Sequence, residues 1–140
     1  MPAGGGSRRE RAPRGRFAGR VGGRSGAATE HHHWFSSPSG NIGCYANRHY
    51  VRCDIGEHRW QAPPKPAWCD FDWGSSLQLR HRARFGCVSD TVLHAPHVLR
   101  YGHAVRFGDK KCVSRRTGMV CRNLATGHGF RLARDGYRRF

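Results

Sequence analysis

The sequence predicts an all-β fold: a small antiparallel sandwich or open barrel, stapled by disulfides and preceded by a disordered basic tail. Three observations predict it. Apolar residues alternate with a period of two along several short segments, six cysteines fall at short spacings in a chain of 140 residues, and no long segment carries an apolar stripe at the helical period.

The first hairpin follows from spacing. Ile42, Cys44 and Ala46 alternate with Gly43 and Tyr45, and Val51, Cys53 and Ile55 alternate with Arg52 and Asp54. If Cys44 faces Cys53, then Ala46 faces Val51 and Ile42 faces Ile55, so every apolar residue meets an apolar partner on one face. Residues opposed in this way lie close enough for a disulfide.

Cys112 and Cys121 repeat the spacing and put Arg115-Arg116-Thr117-Gly118 in the turn, with Gly118 at a positive φ. Cys69 and Cys87 remain, and the span between them holds strands at Leu77–Leu79 and Arg84–Val88. Of the connectivities open to six cysteines, nearest-neighbour pairing (44–53, 69–87, 112–121) suits both hairpins. Chain entropy assigns roughly 2.7 kcal/mol to each short loop and roughly 3.2 kcal/mol to the longer one.

Pro63-Pro64-Lys65-Pro66 reads as a stiff extended connector. Further strands are expected at Val98–Tyr101, Ala104–Phe107, Lys111–Ser114, Met119–Arg122 and Gly129–Ala133. Tyr137 and Phe140 suggest one terminal helical turn.

Composition divides the chain near His33. Residues 1–33 carry seven Arg, two Glu and eight Gly with few large apolar side chains, a composition that cannot offset its ordering entropy. Residues 34–140 hold every cysteine and form the single expected β domain. The chain has 25 basic and 9 acidic residues, a net charge of +16, which makes polyanions the first suspected partners. Arg outnumbers Lys 22 to 3, as biased codon usage would also produce. No apolar run is long enough to span a bilayer. Ser7-Arg8-Arg9 has the look of a twin-arginine start but lacks an apolar stretch after it. The cysteines call for an oxidising compartment, so a wrongly chosen start codon is expected to have replaced an export signal; if the start is correct, the chain is cytoplasmic.

The run Phe35-Ser36-Ser37-Pro38-Ser39-Gly40-Asn41-Ile42-Gly43-Cys44, with Val51-Arg52-Cys53-Asp54-Ile55, resembles the opening signature of an uncharacterised domain family found in exported and lipid-anchored actinobacterial proteins. Gly118-Met119-Val120-Cys121-Arg122-Asn123 and Thr126-Gly127-His128-Gly129-Phe130 resemble its closing signature, and Asp72-Trp73-Gly74 and Cys87-Val88-Ser89-Asp90-Thr91 fit between. The resemblance covers residues 34–140. It implies an extracytoplasmic, disulfide-bonded domain of unknown function and supplies neither an activity nor a site.

Functional candidates come from the residues themselves. Two glycines flanking His128 would let a ligand approach the backbone and leave the imidazole open, with Asn123, Arg122 and Asp90 placed around it as ligand-binding residues. The competing reading is a tight turn before a strand. Trp34, Trp60, Trp68 and Trp73 are candidates for a sugar-stacking surface. Arg14-Gly15-Arg16-Phe17, Gly22-Gly23-Arg24 and Arg80-His81-Arg82-Ala83-Arg84 are candidate seats for nucleic acid or another polyanion. His31-His32-His33 is the one run that could chelate a metal, and neither a metal nor a cofactor is expected. With all six cysteines paired, no thiol nucleophile remains. The leading expectation is therefore a non-enzymatic envelope-associated or secreted module for an anionic envelope polymer or lipid head group. The alternatives are an intracellular nucleic-acid-binding protein and a small hydrolase using His128 with Asp90.

Overall fold

A computed structural model describes residues 28–140, which form two facing β-sheets without a helix. The strands, in chain order, are β1 (Thr29–Glu30), β2 (Trp34–Ser36), β3 (Ile42–Asn47), β4 (Tyr50–Ile55), β5 (Ser76–Leu79), β6 (Ala83–Phe85), β7 (Ala104–Phe107), β8 (Lys110–Arg115), β9 (Gly118–Asn123), β10 (Gly129–Leu132) and β11 (Tyr137–Arg139). One sheet has the order β2-β3-β4-β5-β6 and the other β11-β10-β9-β8-β7-β1. All pairings are antiparallel except the short edge pair β1–β7, which is parallel.

Alternation sets the register. In β3–β4, Ile42 faces Ile55, Cys44 faces Cys53 and Ala46 faces Val51, as spacing predicts. In β8–β9, Cys112 faces Cys121 and Arg115 faces Gly118, whose φ is +133°. The disulfides are Cys44–Cys53, Cys69–Cys87 and Cys112–Cys121. Inward residues of both sheets share one core that includes Phe35, Ile55, Leu77, Leu79, Leu99, Met119, Phe130 and Leu132. Removing such side chains from water is the main favourable term in folding, and the two cross-strand disulfides lie at its centre, sulfur against sulfur.

Several expectations are corrected. Tyr137–Arg139 is an edge strand on β10 rather than a helical turn, because backbone pairing with Phe130, Arg131 and Leu132 satisfies its polar groups. Val98–Tyr101 is not a strand; only Val98 forms a bridge, with Ser36, before the chain turns at Gly102. Arg84–Val88 shortens to Ala83–Phe85, with Val88 bridging Asp72. The composition boundary near His33 falls inside structured chain. β1 pairs with β7, and His33 stacks on Phe107 with ring centroids 4.3 Å apart. The expected disorder of residues 1–27, with the Arg14–Phe17 and Gly22–Arg24 segments, lies outside the described residues. Among the described residues no helix is long and apolar enough to cross a membrane.

Candidate functional site

Of the sequence-derived quartet, Asn123 and Arg122 lie beside His128, with the Asn123 N–H donating to the His128 carbonyl at 2.8 Å and Arg122 paired with Gly129, whereas Asp90 is held elsewhere. Asn123 ends β9 fully buried, and its side chain is committed to the fold. Its amide donates to the Arg80 carbonyl at 2.7 Å, and its oxygen accepts from Ala125 and Thr126 N–H at 2.8 and 3.1 Å. This is an Asx-type turn, in which the side chain replaces a backbone acceptor. Half-buried His128 has Nδ1 3.2 Å from the Phe140 carbonyl. Arg122 is exposed, with its guanidinium 5.0 Å from the centre of the Phe140 ring.

Asp90 belongs to a network on the other sheet. Arg52 is buried on β4 and donates to Asp54 through Nε and Nη2 (3.0 and 2.9 Å), and to the Asp90 carboxylate and carbonyl (2.7 and 2.8 Å). Asp54 in turn accepts from the Val92 N–H at 3.1 Å and the Thr91 hydroxyl at 3.3 Å. Burial opposes the Arg52 charge, but its hydrogen bonds to the two carboxylates and their negative charge outweigh that and raise its pKa. The Arg52 guanidinium holds Asp90 below its ordinary value. Among the described residues no hydrogen bond or ion pair joins Asp90 to His128; their side chains are partnered with Arg52 and the Phe140 carbonyl instead.

Three of the four tryptophans cluster, exposed Trp68 lying edge-on to Trp73 at 6.0 Å between ring centroids, and Trp34 stands apart. Trp60 donates to the Ala133 carbonyl and Trp73 to the Pro63 carbonyl, and both pack beside Phe85. Trp34 packs on Tyr45 instead.

The structure assembles a different site at the end of the sandwich where the β2–β3 loop meets the β8–β9 turn. A shallow cavity of about 210 Å³ opens there, lined by Ser37, Ser39 and Asn41 from the loop and by Ser114, Arg115 and Arg116 from the hairpin. Tyr101 and Arg134 complete its rim, and the Arg116 guanidinium lies 4.9 Å from the centre of the Tyr101 ring. Arg116 and Arg134 continue into a second hollow of about 710 Å³ that also contains Arg59 and Arg131. Five arginines thus share one groove. The acidic groups near them are Asp135, 3.9 Å from Arg131, and Glu57, 3.4 Å from Arg134; both are well exposed. Ser114 is among the residues around the cavity, but its Oγ is shielded in the interior and has no hydrogen-bond partner among the described residues.

The arginine run Arg80-His81-Arg82-Ala83-Arg84 crowns the β5–β6 hairpin, where Gln78, Arg80, His81, Arg82 and Arg84 line a separate exposed pocket.

One polar cluster escaped sequence reasoning. Glu30 sits between three histidines: His97 Nε2 hydrogen-bonds Oε1, His103 Nδ1 is 2.6 Å from Oε2, and His32 Nε2 is 3.9 Å from Oε1. Burial works to raise the Glu30 pKa, but hydrogen bonds from His103 and His97 hold it below its ordinary value. The expectation of no metal weighed the cysteine spacings and the His31–His33 run, not Glu30 or His97. That run divides in the structure, with His32 stacked on His97 and His33 on Phe107.

Two facing sheets, each carrying a cross-strand disulfide that meets the other in the core, with an arginine groove at one end, define a disulfide-stabilised β domain. The chain belongs to a family of unknown function (DUF6636), whose model matches residues 20–140. The match begins before β1 and covers every described strand. Neither a curated protein nor a solved structure matched the chain.

Proposed function

We propose that the domain works outside the cytoplasm as a non-enzymatic binding module for an anionic envelope polymer, seated in the groove of Arg59, Arg115, Arg116, Arg131 and Arg134. The observation that carries this reading is the convergence of five arginines from three chain segments on two adjoining hollows that share Arg116 and Arg134. Guanidinium groups suit phosphate and carboxylate because their fixed fork donates two hydrogen bonds at once. Three disulfides point to an oxidising compartment, and that supports a location at the cell surface or beyond it.

The test is retention on an immobilised phosphate-rich polymer, an anionic glycan, anionic lipid vesicles and duplex DNA, each titrated with salt. The reading expects the polymer or glycan to be held more tightly than DNA at matched ionic strength, with loss of binding in Arg116→Ala/Arg134→Ala. Tightest retention on vesicles would move the ligand to lipid head groups. Preferential DNA binding that disappears on deletion of residues 1–27 would replace the proposal with the nucleic-acid reading.

A further inference from the structure

We propose that Glu30, His32 and His97 form a zinc site, with His103 orienting the Glu30 carboxylate, and that the metal fastens β1 to the body of the domain. The ligand atoms of Glu30, His32 and His97 all lie within 4.8 Å of one another. Two imidazoles and one carboxylate are a donor set that zinc accepts, with bonds of about 2.0–2.2 Å that place neighbouring ligand atoms roughly 3.3 Å apart in a tetrahedron. The observed separations lie on both sides of that value. His97 is in direct hydrogen-bond contact with Glu30, and His32 stands 3.9 Å from Glu30 on an exposed side chain, its ring stacked on that of His97.

The surrounding backbone is already fixed. The His97 carbonyl accepts from Ser36 N–H at 2.8 Å, tying that ligand to the five-stranded sheet. The His103 carbonyl accepts from Ser114 N–H at 3.0 Å, tying the orienting residue to the six-stranded sheet. Glu30 is placed by the pairing of β1 with β7. The site therefore lies where the two sheets and the entering chain meet. His103 already bonds the carboxylate oxygen remote from His97, as an outer partner that orients a metal-binding carboxylate would. Three protein donors leave a fourth position for water.

β1 is two residues long and sits at a sheet edge. Such a segment has few contacts of its own, and a metal bound by Glu30 and His97 would hold it across a sequence separation of 67.

The experiment is zinc titration of the untagged full-length chain, by calorimetry and by competition with a chromophoric chelator. One zinc per chain is expected, with a Kd at or below about 1 μM. His97→Ala should weaken binding about 100-fold or more, and His103→Ala about 10- to 100-fold, the cost typical of an outer partner. His31→Ala and His33→Ala should bind like wild type. His97→Gln, which keeps the side-chain bulk, checks that loss in His97→Ala is not unfolding. In the wild type, zinc should shift the ring proton resonances of His32 and His97 in NMR spectra. Binding that survives His97→Ala, or that disappears with His31→Ala and His33→Ala instead, would overturn the proposal, as would no saturation at millimolar zinc.

Discussion

Cys53 Sγ lies 3.9 Å from Cys121 Sγ, so the disulfide of one sheet rests against the disulfide of the other at the middle of the core. Each bridge locks its own hairpin, and their contact is one of the points where the sheets are held face to face. The domain's stiffness and its dependence on an oxidising compartment meet in the same four sulfur atoms.

Cys44→Ser should therefore redirect the bridge. The Cys53 thiolate would attack Cys121 Sγ, forming a Cys53–Cys121 bond and releasing Cys112 as a thiolate. Peptide mapping after alkylation should find that intersheet bridge together with an alkylated Cys112. An alkylated Cys53 beside an intact Cys112–Cys121 bond would refute the exchange. Removing the bridge outright, with Cys44→Ala/Cys53→Ala, should cost about 2.7 kcal/mol in a chemical denaturation midpoint analysis.

The hairpins and all three disulfides were legible because their determinants are local. Alternation over six residues fixes a face, and a matching alternation after a tight turn fixes the register. β2 and β11 were not legible, since Trp34-Phe35-Ser36 and Tyr137-Arg138-Arg139 are too short to display a period and gain their structure from a neighbouring strand. The helical expectation at Tyr137 failed for that reason. The candidate sites were less visible still. Glu30 meets His97 and His103 across separations of 67 and 73 residues, and the arginine groove draws on three segments, so neither leaves a compact pattern. A lone glutamate preceding three histidines was the available signal. It lay in the stretch that composition set aside as disordered.

The Thr126-Gly127-His128-Gly129-Phe130 run drew attention as a ligand loop, and its second glycine has a packing explanation. A Cβ on Gly129 would lie 2.1 Å from the Cys121 carbonyl oxygen on the paired strand, whereas one on Gly127 would meet nothing within 4 Å, although φ there is +80°. Gly129→Ala should cost about 2–3 kcal/mol by overpacking against backbone, and Gly127→Ala about 1 kcal/mol by strain. Thermal or urea denaturation of both variants checks the order. Equal costs would return the motif to consideration as a binding element.

The Arg52 network predicts two separable effects. Asp54→Ala removes the bidentate partner of a buried guanidinium and should cost about 3 kcal/mol in urea denaturation, because a buried charge left partly unpaired is destabilising. Asp90 acts through pH. Its folded pKa is depressed below 3.8, so its contribution is fully present above that value and disappears as the pH falls through the folded pKa. Asp90→Asn should lower the neutral plateau and flatten the acid limb below about pH 4, so that variant and wild type converge in acid. An acid limb identical to wild type would show that Asp90 is not linked to folding.

Asn123 and Arg116 distinguish scaffold from surface. Asn123 is buried and satisfies Ala125, Thr126 and the Arg80 carbonyl, so Asn123→Ala removes the partner of three backbone groups and should destabilise the domain by about 2–3 kcal/mol. At a temperature where the variant stays folded, its affinity for the anionic polymer should be unchanged. Arg116 is exposed at the β8–β9 turn, and Arg116→Ala should leave the melting temperature nearly unaltered. Polymer binding should weaken, and the slope of log affinity against log salt should fall by about one, the signature of one lost cation–anion contact. Melting curves and salt-titrated binding on the same two proteins measure both quantities. If Asn123→Ala weakens polymer binding while stability holds, the ligand sits at the β9–β10 loop and the arginine groove is not its seat.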